Sequence, residues 1–178
     1  MKNILLYIPN NNFDRTAFLT VRKSLNRHGL NLFIVSDSNN IATGSGGLKI
    51  QPDVNYFNVN PLNFDGLIIL GNEKAENSNH NSILETLIKK FVSNEKIILT
   101  IKSGSVLLAK STSLKGKIAS SEICKPLFVK TGFTPVDSDI VDSGNIYSVR
   151  NDGSIDDTIR MITSKKDKVQ SKKLMNCC

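Results

Sequence analysis

A strand-like segment that runs straight into a tight turn and a helix is the feature that most constrains this chain. Residues 96–101 form the apolar run of a buried strand, and residues 106–110 have the pattern of a helix opening. The four residues between them, Lys-Ser-Gly-Ser, leave room only for a sharp turn. This is the layout of a nucleophile elbow, which lifts one side chain into a cleft in front of the helix N-terminus. We expect Lys102 to be that side chain.

Strand-like and helix-like patterns alternate along the whole chain, which indicates an α/β domain with a mainly parallel sheet. Apolar runs predict strands at 4–8, 32–35, 64–70 and 96–101, and helical spacing predicts helices over 13–25, 83–91 and 155–162. Residues 42–60 do not follow this alternation of strands and helices. They predict an antiparallel excursion at the sheet edge, with short strands near 48–50 and 55–57. No internal repeat is visible.

The last third of the chain predicts smaller elements and a tail. A short strand is expected at 117–120, a short helix at 126–129, and a hairpin over 139–149 with its turn at Ser143 and Gly144. The polar, lysine-rich composition of 165–178 predicts a frayed, flexible tail. The sequence therefore predicts one domain over 1–164 followed by that tail.

The net charge of +7 raises the question of nucleic-acid binding, so its distribution matters. Residues 165–178 hold five lysines against one aspartate, a net charge of +4, which leaves the rest of the chain only mildly basic. Aromatic residues make up 6%, tryptophan is absent, and no aromatic residue lies among those lysines. These features give little support to stacking of aromatic side chains on nucleic-acid bases, and no specific nucleic-acid partner is expected.

We expect this chain to be a cytoplasmic protein. No run approaches the roughly 18 apolar residues of a membrane span. The apolar start of the chain ends at Pro9 and Asn10 without a small-residue cleavage pattern, so it predicts a first strand and not a signal peptide.

Three cysteines and two histidines limit the redox and metal chemistry. Adjacent cysteines such as Cys177 and Cys178 do not readily pair with each other, and no spacing matches a zinc site, so neither a disulfide framework nor a metal is expected. Cys124 is the candidate redox-sensitive thiol, although a buried, inert cysteine is the commoner case. Cys177 and Cys178 are candidate lipidation sites that could hold the basic tail at a membrane; a solvated tail is the alternative.

Together these segments resemble the ThiJ/PfpI superfamily, which includes DJ-one. The resemblance covers about residues 2–163, with matching segments in the family's order at 4–9, 18–20, 44–53, 64–71, 96–110, 114–117 and 141–146. It implies a flavodoxin-like three-layer α/β/α sandwich, similar to glutamine amidotransferase domains and usually a homodimer. Family members include glyoxalase-like and proposed deglycase enzymes, chaperones and oxidative-stress sensors.

The resemblance also implies that the family's catalytic set is replaced. The family's elbow reads A-I-C-x-G-P, so its cysteine position corresponds to Lys102, followed by Ser103 and Gly104. The family's acidic residue on the first helix corresponds to Ala17. Ser103 fills the position of a histidine that can follow the cysteine, and the later region that can supply one has none. Nucleophile, acid and histidine are thus absent together.

Three interpretations of Lys102 stay open. Lys102 could fill a degenerate pocket of an inactive family member, because nucleophilic catalysis needs an activated nucleophile beside an acid or base. The helix N-terminus could instead lower the pKa of Lys102, so that the neutral amine forms a Schiff base with an aldehyde. Lys102 could also bind an anionic ligand, together with Gly71 and Asn72, which follow the central strand where the family has a glycine pair.

The remaining polar candidates have ordinary explanations. Ser103 and Ser105 lie beside the elbow apex and not on it, and we expect Ser105 to cap the helix. His28 is expected at a helix end, where it interacts with the dipole, and His80 is expected to be solvated.

The sequence favours a catalytically inactive ThiJ/PfpI-like protein with a binding, chaperone-like or stress-regulatory role, and no cofactor is expected. The alternative is a stress-related glyoxalase or deglycase-type enzyme, or another hydrolase-like enzyme of the family, acting through Lys102 or Cys124. The expected partners are a second copy of the chain in a homodimer, and an anionic small molecule or a client protein.

Overall fold

A computed structural model describes residues 1–72, 81–120 and 122–175. In chain order, the elements of this part are β1 (Asn3–Ile8), β2 (Asn11–Phe13), α1 (Arg15–Arg27), β3 (Asn31–Ser36), β4 (Ala42–Gly44), β5 (Lys49–Ile50), β6 (Gly66–Leu70), α2 (Ser82–Ser93), β7 (Ile97–Ile101), α3 (Gly104–Lys110), β8 (Gly116–Ala119), β9 (Phe133–Val136), β10 (Ile140–Ser143), β11 (Ile146–Val149) and α4 (Ile155–Met175). Short 3-10 turns lie at 45–47, 56–58, 61–63, 122–128 and 152–154.

A six-stranded sheet in the order β10-β11-β7-β6-β1-β3 forms the centre of the fold. Its strands pair in parallel, except β10, which pairs antiparallel with β11 through the predicted hairpin. Strands β1, β6 and β7 are apolar along nearly their whole length because both faces of a parallel sheet are covered. The carboxyl ends of β1, β6, β7 and β11 therefore meet at one edge of the sheet.

Helices cover both faces of this sheet and complete three layers. Ile4, Leu6 and Ile8 of β1 point to one face, where they pack with α1 and α4. Leu5 and Tyr7 point to the other face, where they pack with α2 and α3. This alternation confirms the predicted flavodoxin-like three-layer α/β/α sandwich with a mainly parallel sheet.

The segment after β3 contains β4 and β5. These two strands form a small separate sheet with β2, in the order β2-β4-β5. Strands β4 and β5 are antiparallel, as expected, but β4 also pairs in parallel with β2. Phe13 lies in β2 and not in the first helix, which begins at Arg15. The strand expected at 55–57 was wrong: a 3-10 turn occurs there, because the side chain of Asn55 caps it, and a second turn, capped by Asn60, follows at 61–63.

Two further expectations for the second half were incomplete or wrong. Strand β9 was missed; it pairs in parallel with β8 in a two-stranded sheet beside the main one. Helix α4 continues to Met175, past the predicted domain end at residue 164, and the flexibility of the tail stays a prediction. Lysine, glutamine, leucine and methionine are all good helix formers, so a polar composition alone did not predict disorder. Within the described part of the chain, no helix is long and apolar enough to cross a membrane.

Candidate functional site

The predicted elbow occupies the carboxyl end of β7. Strand β7 ends at Ile101 and α3 begins at Gly104, so the turn contains only Lys102 and Ser103. Lys102 has a φ of 50°, in the left-handed region that costs a non-glycine residue about 1–2 kcal/mol. Its N–H donates to the carbonyl oxygen of Val149 at 2.7 Å, which ties the turn to β11. The apex residue of the elbow is Lys102, as the sequence predicted.

Two glycines allow this turn to lie against the end of β6. A Cβ on Gly104 would lie 2.1 Å from the carbonyl oxygen of Ile69, and a Cβ on Gly71 would lie 2.1 Å from Oγ of Ser103. The Ser103 hydroxyl also donates to the carbonyl oxygen of Asn72 at 2.5 Å. Gly71 and Asn72 thus support the backbone of the elbow.

The ammonium of Lys102 lies between two carboxylates. Its Nζ is 2.9 Å from Oδ2 of Asp14 and 2.6 Å from Oδ2 of Asp152. All three side chains are at least two-thirds covered: Lys102 is 30% exposed, Asp14 13% and Asp152 27%. Lys102 is therefore the centre of an ion triad, which we call the elbow triad (Asp14, Lys102 and Asp152).

The pKa of Lys102 is raised above its ordinary value of 10.5. Burial lowers this pKa, but the hydrogen bonds and charges of Asp152 and Asp14 together outweigh burial. The expectation that the helix N-terminus would lower the pKa of Lys102 was wrong, since two full negative charges in contact exceed the partial charge of a two-turn helix. Lys102 is held as an ammonium.

Asp14 supplies a carboxylate near the place that the resemblance assigned to position 17. Ala17 is fully buried in α1 and packs into the core. One turn earlier, Asp14 caps α1: its Oδ1 accepts from the N–H of Ala17 at 2.9 Å, while its Oδ2 accepts from Lys102. The longer reach of lysine lets it meet a carboxylate at the helix cap. The site therefore keeps an acidic group, but at position 14 instead of position 17.

Asp152 reaches the elbow from the turn that follows β11. Its Oδ1 is buried without a hydrogen-bond partner, while its Oδ2 accepts from Lys102. The elbow triad carries a formal charge of −1, which weighs against the anion site expected at Lys102, Gly71 and Asn72. Among the described residues, no group of three or more histidine, cysteine or acidic side chains is placed to hold a metal ion.

The two serines beside the apex make hydrogen bonds that the sequence did not predict, and the capping role expected for Ser105 was wrong. Ser105 does not cap α3: it lies inside the helix, and its hydroxyl shares a 2.8 Å hydrogen bond with Thr100 of β7. Ser103 occupies the N-cap position, but its hydroxyl makes no capping bond because it donates to Asn72. Ser105 therefore binds the elbow helix to β7, and Ser103 binds the elbow to the loop after β6.

The other sequence candidates lie away from the elbow triad. Cys124 is half-buried in the 3-10 turn at 122–128 and packs on the core that contains α2 and α3. His28 caps the end of α1, as expected, with its Nε2 3.4 Å from Asp156. His80, Cys177 and Cys178 lie outside the described residues.

Sequence reasoning missed Asp14 and Asp152, although each carried a signal. Asp14 precedes α1 with the residue type of an N-cap. Asp152 follows a strand of the parallel sheet, and side chains at the carboxyl ends of such strands converge at one edge. Asp152 reaches the site of Asp14 only because β11 pairs with β7, and that pairing was not predicted.

Comparisons with known proteins agree with this fold. The family model described as "DJ-1/PfpI family" matches residues 2–165. Deglycase PfpI of Pyrococcus furiosus is 26% identical over 152 residues, which cover 85% of this chain and 92% of that protein. Deglycase PH1704 of Pyrococcus horikoshii is also 26% identical, over 82% of this chain and 89% of that protein.

Solved structures show the same fold. A ThiJ/PfpI domain protein from Brachyspira murdochii superposes with a TM-score of 0.83 at 21% identity, over 93% of this chain and 96% of the other. Drosophila melanogaster DJ-1beta superposes with a TM-score of 0.78 at 22% identity, over 98% of this chain and 97% of the other. The match of the family model over nearly the whole chain, on a fold with its elbow at Lys102, shows that this chain belongs to the DJ-1/PfpI family.

Proposed function

We propose that this chain is a catalytically inactive DJ-1/PfpI-family domain that acts by binding, in a chaperone-like or stress-regulatory role. The observation that carries the proposal is the elbow triad: the Lys102 ammonium contacts both Asp14 and Asp152 at the apex where a nucleophile would stand. The same proposal includes a homodimer, which the resemblance implies, and a cytoplasmic location, which was expected from the sequence pattern.

The chemistry of an ammonium supports inactivity at this position. A lysine attacks an aldehyde only as the neutral amine, and the raised pKa of Lys102 keeps that form scarce near neutral pH. A general base would have to remove the proton from a nitrogen that two carboxylates stabilise in its charged form. Covalent catalysis through Lys102 is therefore opposed by both of its neighbours.

Turnover of a reactive dicarbonyl tests the proposal. We expect this chain to consume methylglyoxal no faster than a Lys102→Ala variant does, while Deglycase PfpI of Pyrococcus furiosus serves as the comparison enzyme. Borohydride trapping with methylglyoxal should label Lys102 no more than the exposed Lys115. Turnover that disappears in Lys102→Ala, or selective labelling of Lys102, would show that the elbow is catalytic.

The binding role is tested separately by aggregation of a client. The protein should slow the aggregation of reduced insulin, and Lys102→Ala should do so equally well because the role does not use the elbow. No suppression at a molar excess of the protein would contradict the chaperone-like role while leaving the inactivity of the elbow untouched.

A second candidate function is a stress-related deglycase or glyoxalase activity, since two relatives carry the name deglycase. Of the two side chains considered for it, Cys124 is a free thiol and Lys102 is ion-paired. Activity of this kind should therefore be lost in Cys124→Ser and kept in Lys102→Ala. The reverse pattern would favour Lys102.

A further inference from the structure

An open cleft lies at the amino ends of β8 and β9, with a volume of about 1080 Å³. One wall consists of the end of α3 and the loop that leads into β8, and it contributes Lys110 and Lys115. The other wall consists of the segment that leads from the 3-10 turn at 122–128 into β9, and it contributes Lys130. We call this feature the lysine cleft (residues 109–115 and 126–132).

The lysine cleft carries positive charge without an acidic neighbour. The described residues that line it include three lysines and neither an aspartate nor a glutamate. Lys115 and Lys130 form no ion pair with any residue that the structure describes. The cleft along α1 differs, because Lys23 shares its lining with Asp152 and Asp156. Of these two clefts, the lysine cleft therefore presents the stronger positive potential, which low-dielectric walls concentrate.

Apolar side chains lie beside these charges. Val129 is 79% exposed, although it is apolar, and it directly precedes Lys130. Pro126 is also exposed and Leu127 is half-buried, and both line the same wall. A ligand in the lysine cleft therefore meets ammonium groups and apolar surface side by side, so charge alone does not make it complementary to the site.

The two walls of the lysine cleft are fixed to each other. The N–H of Gly116 donates to the carbonyl oxygen of Gly132 at 3.3 Å. A Cβ on Gly132 would lie 2.4 Å from the carbonyl oxygen of Leu114, so the walls pack in direct contact at this point. The hydroxyl of Thr131 donates to the carbonyl oxygen of Phe128, which is buried in the core. Because the cleft is already formed, ligand binding requires little ordering of the protein.

We propose that the lysine cleft binds an acidic segment of a partner protein, in which carboxylates flank an apolar side chain. The carboxylates pair with the three lysines, and the apolar side chain covers Val129 and removes it from water. The site rests on the binding role proposed above and gives that role a surface and a class of partner. None of the residues of the elbow triad lines the lysine cleft, so the elbow takes no part in this contact.

The lining favours a peptide over a nucleic acid. Single-stranded nucleic acids bind where aromatic side chains stack on the bases, and the described lining of the lysine cleft contains no aromatic residue. A phosphate backbone also offers no apolar group to cover Val129. Lysine presents a point charge and not the two-pronged donor of arginine, so the ion pairs of an exposed cleft are individually weak and depend on salt. We therefore expect reversible, salt-sensitive binding.

Fluorescence anisotropy of a rhodamine-labelled peptide, Gly-Asp-Glu-Leu-Val-Glu-Asp-Gly, tests the proposal on the full chain. The wild type should bind this peptide at low salt, and raising NaCl from about 50 mM to about 500 mM should weaken binding roughly tenfold, because salt screens the ion pairs. The same peptide with serine in place of leucine and valine should bind several-fold more weakly. No binding of the acidic peptide at low salt, or equal binding of the two peptides, would overturn the proposal.

Charge-matched variants locate the binding. Lys115→Gln/Lys130→Gln should weaken peptide binding roughly tenfold while keeping the melting temperature of the wild type. Lys23→Gln/Lys49→Gln is the matched control, because it removes the same charge from two exposed lysines outside the lysine cleft. The control should change the affinity less than about twofold. Equal losses in the two variants would mean that net charge alone attracts the peptide, and would overturn the site.

Two further measurements separate the alternatives. An oligodeoxythymidine that binds more tightly than the peptide, with the same loss in Lys115→Gln/Lys130→Gln, would show a nucleic-acid surface and overturn the proposal. Suppression of insulin aggregation by a protein that does not bind the peptide would overturn the lysine cleft and leave the chaperone-like role standing. Peptide binding that the lysine variant loses, without any suppression of aggregation, would support the lysine cleft and contradict the chaperone-like role.

Discussion

The Lys102 ammonium and the carboxylate of Asp14 form a 2.9 Å ion pair across 88 positions of sequence. The same aspartate caps α1, so the elbow and the first helix of the domain share one carboxylate. Asp152, in the turn after β11, is the second carboxylate that contacts the Lys102 ammonium. This arrangement makes Lys102 a structural charge at the apex of the elbow, and several measurable consequences depend on it.

Removing the cation should destabilise the fold. In Lys102→Met, the carboxylates of Asp14 and Asp152 face one another with no positive charge, and we expect a loss of about 1–3 kcal/mol in the free energy of unfolding by urea. Lys89→Met is the matched control, because Lys89 is 68% exposed and pairs with Glu85 on the surface of α2. That variant should lose no more than about 0.5 kcal/mol. Equal losses would mean that the elbow triad is an ordinary surface pair.

The contribution of Lys102 should disappear at alkaline pH. Its folded-state pKa is raised above 10.5, so the stability it adds is complete below 10.5 and is lost as the pH rises through the folded-state pKa. The difference in melting temperature between wild type and Lys102→Met should therefore shrink above that pH. Lys102→Arg should resist this loss, because a guanidinium stays charged. A difference that is constant with pH would contradict the ion-pair explanation.

A cysteine at the apex should be a poor nucleophile while both aspartates remain. Two nearby carboxylates disfavour the thiolate and raise its pKa. In a background without the native cysteines, Lys102→Cys should react slowly with iodoacetamide near neutral pH, and Lys102→Cys/Asp152→Asn should react several-fold faster. The pH dependence of alkylation measures both thiol pKa values. Equal reactivity of the two variants would show that Asp152 does not control the apex charge.

The contact between the elbow and β6 should tolerate no added methyl group. In Gly104→Ala, the new Cβ would lie 2.1 Å from the carbonyl oxygen of Ile69, so strand and helix must separate. We expect a loss of about 3 kcal/mol or more, or failure to fold. Gly116→Ala is the control, because its Cβ would meet nothing closer than 3.5 Å. Comparable melting temperatures for the two variants would contradict this packing.

The two roles of Asp14 can be separated by chemistry. The Asp14→Asn variant keeps an oxygen that can cap α1 at Ala17 but loses the charge that pairs with Lys102, whereas Asp14→Ala loses both. The Asp14→Ala variant should therefore be less stable than Asp14→Asn by about 1 kcal/mol, the usual value of an N-cap. Urea unfolding of both variants measures this difference. Indistinguishable stabilities would mean that the cap contributes nothing.

Much of the fold could be predicted from local patterns. Strands β1, β6 and β7 carry continuous apolar runs, and α1 and α2 carry one apolar stripe each, so their type follows from periodicity. The elbow followed from a strand and a helix with four residues between them. The turns at 55–64 could not be told from a strand by pattern, because their asparagine side chains cap 3-10 turns in place of a strand ladder. Helix α4 extends beyond its apolar stripe over residues of high helix propensity, and Lys165 there contacts Asp142.

The sequence by itself determined the α/β class, the family, and the placement of a lysine at the apex of the elbow. What surrounds that lysine was decided only by the tertiary structure. Asp14 and Asp152 are far apart in the chain, and the parallel register of β1, β6, β7 and β11 brings both to the same sheet edge. The pKa of Lys102 depends on charges within a few ångströms, and such distances are a property of the fold.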